Sequence, residues 1–474
     1  MTEYDVIVLG AGSTGENVAD GVVKAGLTAV VVESELVGGE CSYWACMPSK
    51  ALLRSSQALE AARAVAGARE AVTGSLDVSA VLERRNGFTS NWKDDSQVKW
   101  LDGVGVTLVR GEGRLTGPRS VEVHASDGSV STLTARHAVV LAVGSEPLLP
   151  PIEGLRSSAP WTAREVTSAK HIPARLAVLG GGVVGVEMAT AYASFGAQVT
   201  VLEADPLLLA KYEPFVSEAV SASLTERGVD VRTEAKVVAV RRPVAGGPVT
   251  LVIDGGAEVT ADEFLVAVGR RARTVGIGVE SVGLSSGEYV DVDDTMLVSA
   301  VDGGWLYAAG DVNGRALLTH MGKYQARACS EAIAARARGE RASGAAWSRF
   351  AATADHAAVP QVVFSEPEVA AVGLTERAAR EAGLSVRTAE YELGNVAGAA
   401  VYADGYRGHA KIVVDTDRDV LVGATMVGPV TGEMLHAATV ALVGEVPLSR
   451  LWHAVPSYPT ISEVWLRLLE TYGR

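Results

Sequence analysis

The hydrophobic and polar positions of the chain repeat one arrangement twice. An uninterrupted apolar run at residues 6–9 leads into Gly-Ala-Gly-Ser-Thr-Gly, a helix-forming stretch to about residue 25, and a second apolar run at residues 28–32. The same order returns at residues 176–202. Short apolar runs bounded by glycines are typical of strands buried on both faces, so each copy predicts strand, glycine turn, helix and strand.

Both copies carry the glycines and the acid of a dinucleotide-binding unit. Glycines at this turn let a pyrophosphate approach the helix N-terminus, and the acid after the second strand accepts a hydrogen bond from a ribose hydroxyl. The residues are Gly10, Gly12, Gly15 and Glu33 in the first copy, and Gly180, Gly182, Gly185 and Glu203 in the second. The first glycine and the acid are 23 positions apart in both copies. Two dinucleotide sites are therefore predicted.

Cys41 and Cys46 lie in the motif GGECSYWACMPSK, directly before a predicted helix. A helix N-terminus favours the thiolate, which is the reactive form of cysteine. A zinc site would need more ligands of this kind, and Cys329 is the one further cysteine in the sequence. The pattern therefore favours a redox-active disulfide, and no metal site is predicted.

The position of the cysteine pair assigns the two dinucleotides. Cys41 follows Glu33 by eight positions, so the pair must face the first site. Because a flavin can exchange electrons with a neighbouring disulfide, the first site is predicted to hold FAD and the second NAD or NADP. Glu203 favours NADH, since a carboxylate bonds a free 2′-hydroxyl but repels a 2′-phosphate, and residues 204–207 offer no arginine.

The segments around these units predict further helices and strands. Residues 51–100 are expected to be helical, and residues 105–136 to form short antiparallel strands. Two more buried strands end in the glycine turns at Gly144 and Gly269. Asp311 follows a strand and lies at a tight turn, where its carboxylate can meet a polyol.

The last quarter of the chain has a different pattern. After a predicted helix at residues 320–337, the segment 336–346 is rich in arginine, glycine and alanine and is expected to be a linker. Strands and helices without glycine fingerprints follow. A domain with no cofactor site of its own is a candidate for contact between subunits.

Composition narrows the class of protein. The 474 residues are 48% hydrophobic, which can supply sizeable cores, and the net charge of −14 argues against a nucleic-acid partner. Three cysteines in so long a chain fit a reducing compartment. The acidic N-terminus is unlike a signal peptide, and Glu187 interrupts the longest apolar run. We expect a cytoplasmic protein without membrane insertion, acting on a small molecule.

With these motifs placed, the chain resembles the class I pyridine nucleotide–disulfide oxidoreductases, the flavoproteins that include dihydrolipoamide dehydrogenase, glutathione reductase and mercuric reductase. The resemblance covers nearly the whole chain and lies in GGECSYWACMPSK, GGGVVGVE, VAVGRR, AAGDV, LLTHMGKYQAR, VVFSEPEVAAVGLTE and MVGPVTGEMLH. It implies an α/β fold with two Rossmann-like domains and a C-terminal α+β dimerisation domain in a homodimer. The implied boundaries are residues 1–150 and 274–345 for FAD, 151–273 for NAD, and 346–474 for the dimer contact.

The resemblance also implies roles for individual residues. Cys46 would lie against the flavin and form the charge-transfer thiolate, and Cys41 would be the outer thiol that exchanges with substrate. Lys50 and Glu187 match the ion pair beside the flavin N5, and Asp311 matches the acid on the ribityl chain.

One departure from the family pattern concerns the C-terminus. Disulfide-reducing members usually carry His-Pro-Thr-x-x-Glu, and here Tyr458 stands in the histidine position while Glu463 is kept. An unperturbed tyrosine has a pKa of about 10, so it is a poor base at neutral pH. Loss of a positioned base typically costs about 10²- to 10⁴-fold in rate. Efficient lipoamide or glutathione reduction is therefore not expected, and His453, five positions earlier, is an alternative base or a surface residue.

Three functions remain open at this stage. The first is an NADH-dependent flavoenzyme that reduces a small disulfide or thiol-reactive acceptor through Cys41 and Cys46. The second is an NAD(P)H:quinone oxidoreductase in which the flavin reduces an aromatic acceptor directly. The third is a dihydrolipoamide dehydrogenase-like component of a larger complex. Mercuric reductases add a cysteine pair at the C-terminus, and residues 470–474 contain none.

Overall fold

The computed structural model describes residues 2–473, which form a mixed α/β protein. Packing divides the chain into two compact units. The first unit contains the residues up to Pro48, Asn86–Leu148 and Gly269–Asp355; the second contains Ser49–Arg85, Leu149–Val268 and the residues from His356 onward.

The strands are short, as the apolar runs of the sequence predict. They are β1 (Thr2–Leu9), β2 (Ala29–Glu33), β3 (Thr107–Arg110), β4 (Glu112–Gly117), β5 (Ser120–His124), β6 (Val130–Leu141), β7 (Ser145–Pro147), β8 (Arg175–Leu179), β9 (Gln198–Leu202), β10 (Asp230–Arg232), β11 (Val237–Arg241), β12 (Val249–Ile253), β13 (Glu258–Ala261), β14 (Glu263–Val266), β15 (Arg270–Ala272), β16 (Leu306–Ala308), β17 (Pro360–Val363), β18 (Glu368–Gly373), β19 (Val386–Glu392), β20 (His409–Asp415) and β21 (Val420–Gly428).

The helices alternate with these strands in the two glycine-turn units. They are α1 (Ser13–Lys24), α2 (Gly39–Tyr43), α3 (Cys46–Arg63), α4 (Ala68–Ala71), α5 (Val78–Phe88), α6 (Asp95–Gly103), α7 (Ala163–Ser168), α8 (Val183–Ser194), α9 (Pro214–Glu226), α10 (Thr319–Ala337), α11 (Ala354–Ala357), α12 (Glu376–Glu381), α13 (Ala397–Tyr402), α14 (Thr431–Val443), α15 (Leu448–Leu451) and α16 (Val464–Tyr472). No helix within residues 2–473 has both the length and the apolar character needed to span a bilayer.

The first unit is built on one seven-stranded sheet. Its order is β3-β2-β1-β6-β5-β4, and β16 also pairs with β6. Strands β1, β2, β3, β6 and β16 are parallel, whereas β4 and β5 pair antiparallel. Val6, Ile7 and Val8 of β1 are fully buried, because helices or strands cover both faces of the central strand.

Helices α1 and α10 pack closely on this sheet. A Cβ placed on Gly322 of α10 would lie 2.2 Å from Thr14 Oγ1 of α1, and one placed on Gly21 of α1 would lie 2.4 Å from Ser330 Oγ of α10. Glycine at both positions lets the two helices approach this closely. The N-terminal turns of the two helices therefore lie side by side.

The second unit contains three sheets. A parallel sheet has the order β10-β9-β8-β14, an antiparallel ribbon has the order β11-β12-β13, and the C-terminal sheet has the order β17-β18-β21-β20-β19. All strand pairs of the C-terminal sheet are antiparallel. The predicted fold class, two Rossmann-like domains followed by an α+β domain, is confirmed.

Two local expectations differ from the structure. The predicted helical stretch at residues 51–100 is divided among α3, α4, α5 and α6, with non-helical residues between them. The ribbon β11-β12-β13 is a second difference, because the sequence pattern did not predict strands there.

Candidate active site

The glycine turn of the first unit leaves one side of its backbone open. Gly10 has φ of +98°, and a Cβ on it would lie 2.5 Å from Ala142 O. A Cβ on Gly15 would lie 1.9 Å from Gly10 O, so both positions require glycine. In contrast, a Cβ on Gly12 would meet nothing within 4 Å, and Gly12 caps α1 without a side-chain hydrogen bond. The open space at the helix N-terminus suits a pyrophosphate.

The glycine turn of the second unit has the same construction. Gly180 has φ of +108°, and its Cβ would lie 2.5 Å from Ala267 O. A Cβ on Gly185 would lie 2.0 Å from Gly180 O, and one on Gly182 would meet nothing within 4 Å. The two turns therefore present equivalent cradles.

The two predicted ribose acids also hold equivalent positions. Ala11 N donates to Glu33 Oε2 at 2.7 Å, and Gly181 N donates to Glu203 Oε2 at 2.6 Å. Each carboxylate thus lies beside the glycine turn of its own unit. A cavity of about 420 Å³ opens next to Glu33 and is lined by Arg114 and Arg273 among others.

Cys41 and Cys46 are thiols that hydrogen-bond to each other. Cys41 lies in α2, and Cys46 is the first residue of α3. Cys46 Sγ is 3.3 Å from Thr319 Oγ1, at the first residue of α10. The hydrogen bond with Cys46 and burial raise the pKa of Cys41, while the Thr319 hydroxyl and the charge of Lys323 oppose the rise.

Asp311 is held by a short hydrogen-bond network in the first unit. Ser145 Oγ donates to Asp311 Oδ2 at 2.6 Å, and Arg270 Nε donates to Ser145 Oγ at 2.6 Å. Gly144 and Gly269, which precede these two residues, have φ of +75° and +134°. The positive φ values turn the chain so that β7 and β15 pair and bring Ser145 and Arg270 together.

Lys50 and Glu187 form an ion pair within the second unit. Lys50 Nζ donates to Glu187 Oε2 at 2.7 Å and to Oε1 at 3.0 Å. The Glu187 side chain is 3% exposed and also accepts a hydrogen bond from Phe364 N at 3.0 Å. The ammonium lies 4.9 Å from the centre of the Phe364 ring. A buried carboxylate with three such contacts fixes the lysine in one orientation.

The C-terminal residues singled out by the sequence differ in burial. The Tyr458 side chain is exposed, at 75%, and His453 is also exposed. Glu463 is buried and accepts a hydrogen bond from Arg467 Nη2 at 2.5 Å. Cys329 is fully buried within α10.

The chain matches two family models in sequence. Residues 4–338 match the pyridine nucleotide-disulphide oxidoreductase family, and residues 359–468 match the dimerisation domain of the same family. The chain belongs to this family.

Curated relatives of this oxidoreductase include two kinds of enzyme. It is 33% identical over 470 residues to dihydrolipoyl dehydrogenase of Thermus scotoductus, covering 98% of this chain and 96% of the relative. It is 31% identical over 479 residues to mercuric reductase of Streptomyces lividans, covering 99% and 96%.

Two solved structures have the same fold as the oxidoreductase. LpdA of Mycobacterium tuberculosis superimposes with a TM-score of 0.83 at 25% identity and full coverage of both chains. The HOCl-induced flavoprotein disulfide reductase RclA of Escherichia coli, in its Cu(II) complex, superimposes with a TM-score of 0.84 at 24% identity, covering 99% of each chain. RclA is evidence for the fold alone.

These findings confirm the family and the fold that the sequence predicts. The protein is a member of a family of flavoprotein oxidoreductases that use FAD and NAD(P)H, and it carries a dimerisation domain. The open glycine turns and their carboxylates fit both dinucleotides.

Several residues of the oxidoreductase site were not singled out by sequence reasoning. Ser145 and Arg270 hold Asp311, and Thr319 contacts Cys46. The sequence could have indicated Ser145 and Arg270, since each directly follows the glycine that ends a buried strand. Thr319 lies in the motif LLTHMGKYQAR, but nothing in that motif indicates a contact with Cys46.

Proposed function

We propose that the protein is an NADH-dependent flavoenzyme that reduces a small disulfide or another thiol-reactive acceptor through Cys41 and Cys46. The observation that carries the proposal is the hydrogen-bonded thiol pair, which lies in the same unit as the glycine turn of Gly10. Two thiols that can close to a disulfide can be reduced again by a neighbouring two-electron donor, and they then pass the electrons on by thiol–disulfide exchange.

The cofactors are assigned to the two glycine-turn units. FAD would be held by Gly10, Gly12, Gly15, Glu33, Gly144 and Asp311, and NADH by Gly180, Gly182, Gly185, Glu203 and Gly269. When bound, FAD carries two electrons from NADH to the disulfide. The domains proposed on this basis are residues 1–150 and 274–345 for FAD, 151–273 for NADH and 346–474 for a homodimer contact. Steady-state rates with NADH and NADPH at equal concentration check the preference for NADH.

The cysteines perform the exchange with the substrate. The Cys41–Cys46 disulfide takes up two electrons and two protons and becomes a dithiol. The Cys41 thiolate attacks a sulfur of the substrate disulfide, forms a mixed disulfide and releases the first thiol product. Cys46 then attacks the Cys41 sulfur, restores the Cys41–Cys46 disulfide and releases the second thiol product.

Lys50 and Glu187 serve the cofactor end of this path. The family resemblance assigns Lys50 to the flavin, whose reduced anionic form its positive charge would stabilise. Glu187 keeps that lysine paired, because an unpaired ammonium in a partly buried site would lose its proton more easily.

Tyr458 sets the limits of the substrate range. Without histidine at this position, reduction of lipoamide or glutathione is expected to be slow. The exposed Tyr458 phenol is available to donate a hydrogen bond to a bound acceptor. Glu463, five positions after Tyr458, is buried, and its hydrogen bond with Arg467 fixes the turn.

Two other functions deserve a direct test. Direct reduction of a quinone by the flavin is favoured by the exposed aromatic Tyr458 in place of a base. A role as a dihydrolipoyl dehydrogenase-like component of a complex is suggested by the Thermus scotoductus relative. Mercuric ion is a poorer candidate, because the third cysteine, Cys329, is fully buried and cannot join Cys41 and Cys46 in binding it.

The decisive experiment compares Cys41→Ser with the unmodified protein. Purified FAD-loaded protein is first oxidised so that Cys41 and Cys46 form a disulfide, freed of oxidant, and mixed with NADH under anaerobic conditions. Thiols are counted with a chromogenic disulfide before NADH is added, and again after the protein has been denatured and NADH removed. We expect NADH to generate two new thiols in the unmodified protein, and Cys41→Ser to lose turnover of small disulfides.

Cys329→Ser is the matched control, since it removes a thiol that no acceptor can reach. The opposite outcome would be full quinone turnover by Cys41→Ser and no NADH-dependent thiols in the unmodified protein. It would contradict the proposal and favour direct reduction of the acceptor by the flavin.

A further inference from the structure

The chain between Cys41 and Cys46 changes direction within four residues. Cys41 is the third residue of α2, Cys46 is the first residue of α3, and the connecting segment, residues 42–45, joins them. Trp44 follows the last residue of α2 with φ of −137°, so the chain leaves the helix there. The path of the connecting segment therefore decides how far apart the two sulfurs lie.

Two hydrogen bonds from side chains distant in sequence hold the connecting segment. Trp92 Nε1 donates to Tyr43 O at 3.1 Å. Gln97 Nε2 donates to Ser42 Oγ at 3.1 Å. Tyr43 is the last residue of α2, where a helix leaves its carbonyls without a partner inside the helix. The indole of Trp92 therefore caps the helix end that leads to Cys46.

The Tyr43 side chain ties the same segment to the chain that precedes Cys41. Its ring is buried, and its hydroxyl donates to Val37 O at 3.0 Å. Val37 N in turn donates to Asp94 Oδ2 at 2.8 Å. Asp94 lies two positions after Trp92, so the chain on both sides of Cys41 is tied to the stretch that carries Trp92.

The backbone that carries Trp92 has an uncommon conformation. Ser90, Asn91 and Trp92 have φ of +50°, +53° and +55°. Asparagine tolerates the left-handed region, but a bulky side chain rarely adopts it. Such conformations cluster at functional sites, where the surrounding structure holds them in place. In this strained form the turn presents the indole of Trp92 to the connecting segment.

We propose that Trp92, assisted by Gln97, sets the redox equilibrium of Cys41 and Cys46 by holding the connecting segment in the shape that the disulfide needs. The two thiols hydrogen-bond to each other, so the reduced form already has its sulfurs side by side. Groups that are held together beforehand lose little conformational entropy when a bond closes between them. The disulfide is therefore more stable, and the dithiol a stronger reductant, than in a loosely held segment of the same length.

This inference rests on the proposed function, in which the cysteine pair takes up two electrons and passes them to an acceptor. Trp92 acts through the backbone of Tyr43 and is a positioning residue. A dithiol of lower reduction potential can reduce a wider range of disulfides, and it requires a more strongly reducing donor. The hydrogen bond from Trp92 would thus help to decide which acceptors the pair can reduce.

The test measures the redox equilibrium against dithiothreitol without NADH. FAD-loaded protein is equilibrated anaerobically with fixed ratios of reduced to oxidised dithiothreitol and quenched in acid. Its free thiols are then alkylated in denaturant and counted by mass spectrometry. In this exchange the Cys41–Cys46 bond breaks, dithiothreitol closes to its cyclic disulfide, and two electrons and two protons pass to the protein.

Trp92→Phe is the main variant, because it keeps an aromatic ring and removes the indole N–H. Without that hydrogen bond the dithiol gains conformational freedom, whereas the disulfide stays constrained by its covalent bond. We expect the equilibrium constant for reduction to rise about fivefold, which corresponds to a rise of about 20 mV in the reduction potential of a two-electron couple.

Trp100→Phe is the matched control, since it makes the same change at a tryptophan of α6 that is 42% exposed. It should leave the equilibrium constant unchanged. A role in folding alone would lower the melting temperature of Trp92→Phe without moving the constant. Constants for Trp92→Phe and the unmodified protein that agree within about twofold, or a lower constant for the variant, would overturn the proposal.

Gln97→Leu is a second variant, which removes the hydrogen bond to Ser42 and keeps a side chain of similar size. We expect it to raise the equilibrium constant about threefold. Should Trp92→Phe fail to fold, Gln97→Leu decides, and an unchanged or lower constant for it would contradict the proposal.

The outcome is separable from the proposed function. The exchange with dithiothreitol uses no NADH, so it reports on the cysteine pair and its hydrogen bonds alone. A failure of NADH to generate thiols would remove the flavoenzyme proposal, whereas an unchanged constant for Trp92→Phe would remove only the role of Trp92.

Discussion

Glu16 has an energetic cost that the structure makes explicit. Its carboxyl is buried in the first turn of α1. Burial is the main cause that raises its pKa from an ordinary 4.5 to about 7. The folded protein therefore holds this proton over a pH range in which the unfolded chain releases it. Stability falls as the pH rises from about 4.5 to 7, and the full cost is present above pH 7.

Replacement of Glu16 by glutamine should remove that cost. The gain in free energy of unfolding for Glu16→Gln is expected to be small at pH 4.5 and to reach about 3 kcal/mol at pH 8. Urea unfolding of the FAD-loaded protein at both pH values measures it. Asp20→Asn serves as the control, and a gain for Glu16→Gln that is equal at both pH values would contradict the argument.

Sequence reasoning found the residues whose spacing along the chain is informative. Cys41, Cys46 and the turn glycines were predicted from local motifs alone. Glu16 has no such signal, because an acid in a first helical turn is common at the surface. The charge that opposes the rise in its pKa, Lys323, lies on α10, which begins about 300 positions later in the sequence. Packing between distant elements is what local patterns do not encode.

At the scale of elements, the glycines of the first turn serve two different purposes. One is required by packing within the protein, and the other leaves room for a ligand. Gly15 requires glycine because its Cβ would lie 1.9 Å from Gly10 O. Gly12 has φ of −69° and open space around its Cβ position, so alanine fits there without strain. We infer that the absence of a side chain at Gly12 leaves room for a phosphate to approach.

The variants Gly12→Ala and Gly15→Ala should therefore fail in different ways. Gly12→Ala is expected to fold with an unchanged melting temperature and to bind FAD about tenfold or more weakly. Gly15→Ala is expected to lose about 2 kcal/mol of stability, as overpacked sites do. Thermal melting without added FAD and flavin fluorescence titration distinguish the two effects. Equal melting temperatures for the two variants would show that the backbone shifts to relieve the contact between a Cβ at position 15 and Gly10 O.

Element boundaries were predicted least well where helix formers are continuous. Residues 51–100 are rich in alanine and arginine, and composition alone favours one long helix. Helix α3 ends at Arg63, and Gly67, with φ of +88°, precedes α4, so the chain does not continue as one helix. The ribbon β11-β12-β13, whose strands have four or five residues each, was not predicted. Such short strands are stabilised mainly by their partners.

At the scale of the whole molecule, the dimerisation domain carries apolar side chains on its surface. Val440 of α14 is 55% exposed and Val455 is 84% exposed. Exposed aliphatic side chains within a domain of this family are explained by a second copy of the chain. We therefore expect a homodimer in solution.

A charge on α14 should weaken that dimer. Val440→Glu is expected to shift the molar mass measured by light scattering from twice that of the chain toward the monomer at micromolar concentration, since an unpaired carboxylate resists burial. Val244→Glu, which alters a 68%-exposed valine outside the dimerisation domain, is the control. An unchanged mass for Val440→Glu would place the contact on another face.

The hydrogen bonds of Glu33 and Glu203 to their own turns bear on the speed of cofactor capture. Each carboxylate already holds its turn through Ala11 N or Gly181 N. A loop that is ordered beforehand loses little conformational entropy when a ligand arrives. Both cofactors should therefore associate in single-exponential phases whose rate constants rise linearly with cofactor concentration, without the plateau that a slow loop rearrangement would impose.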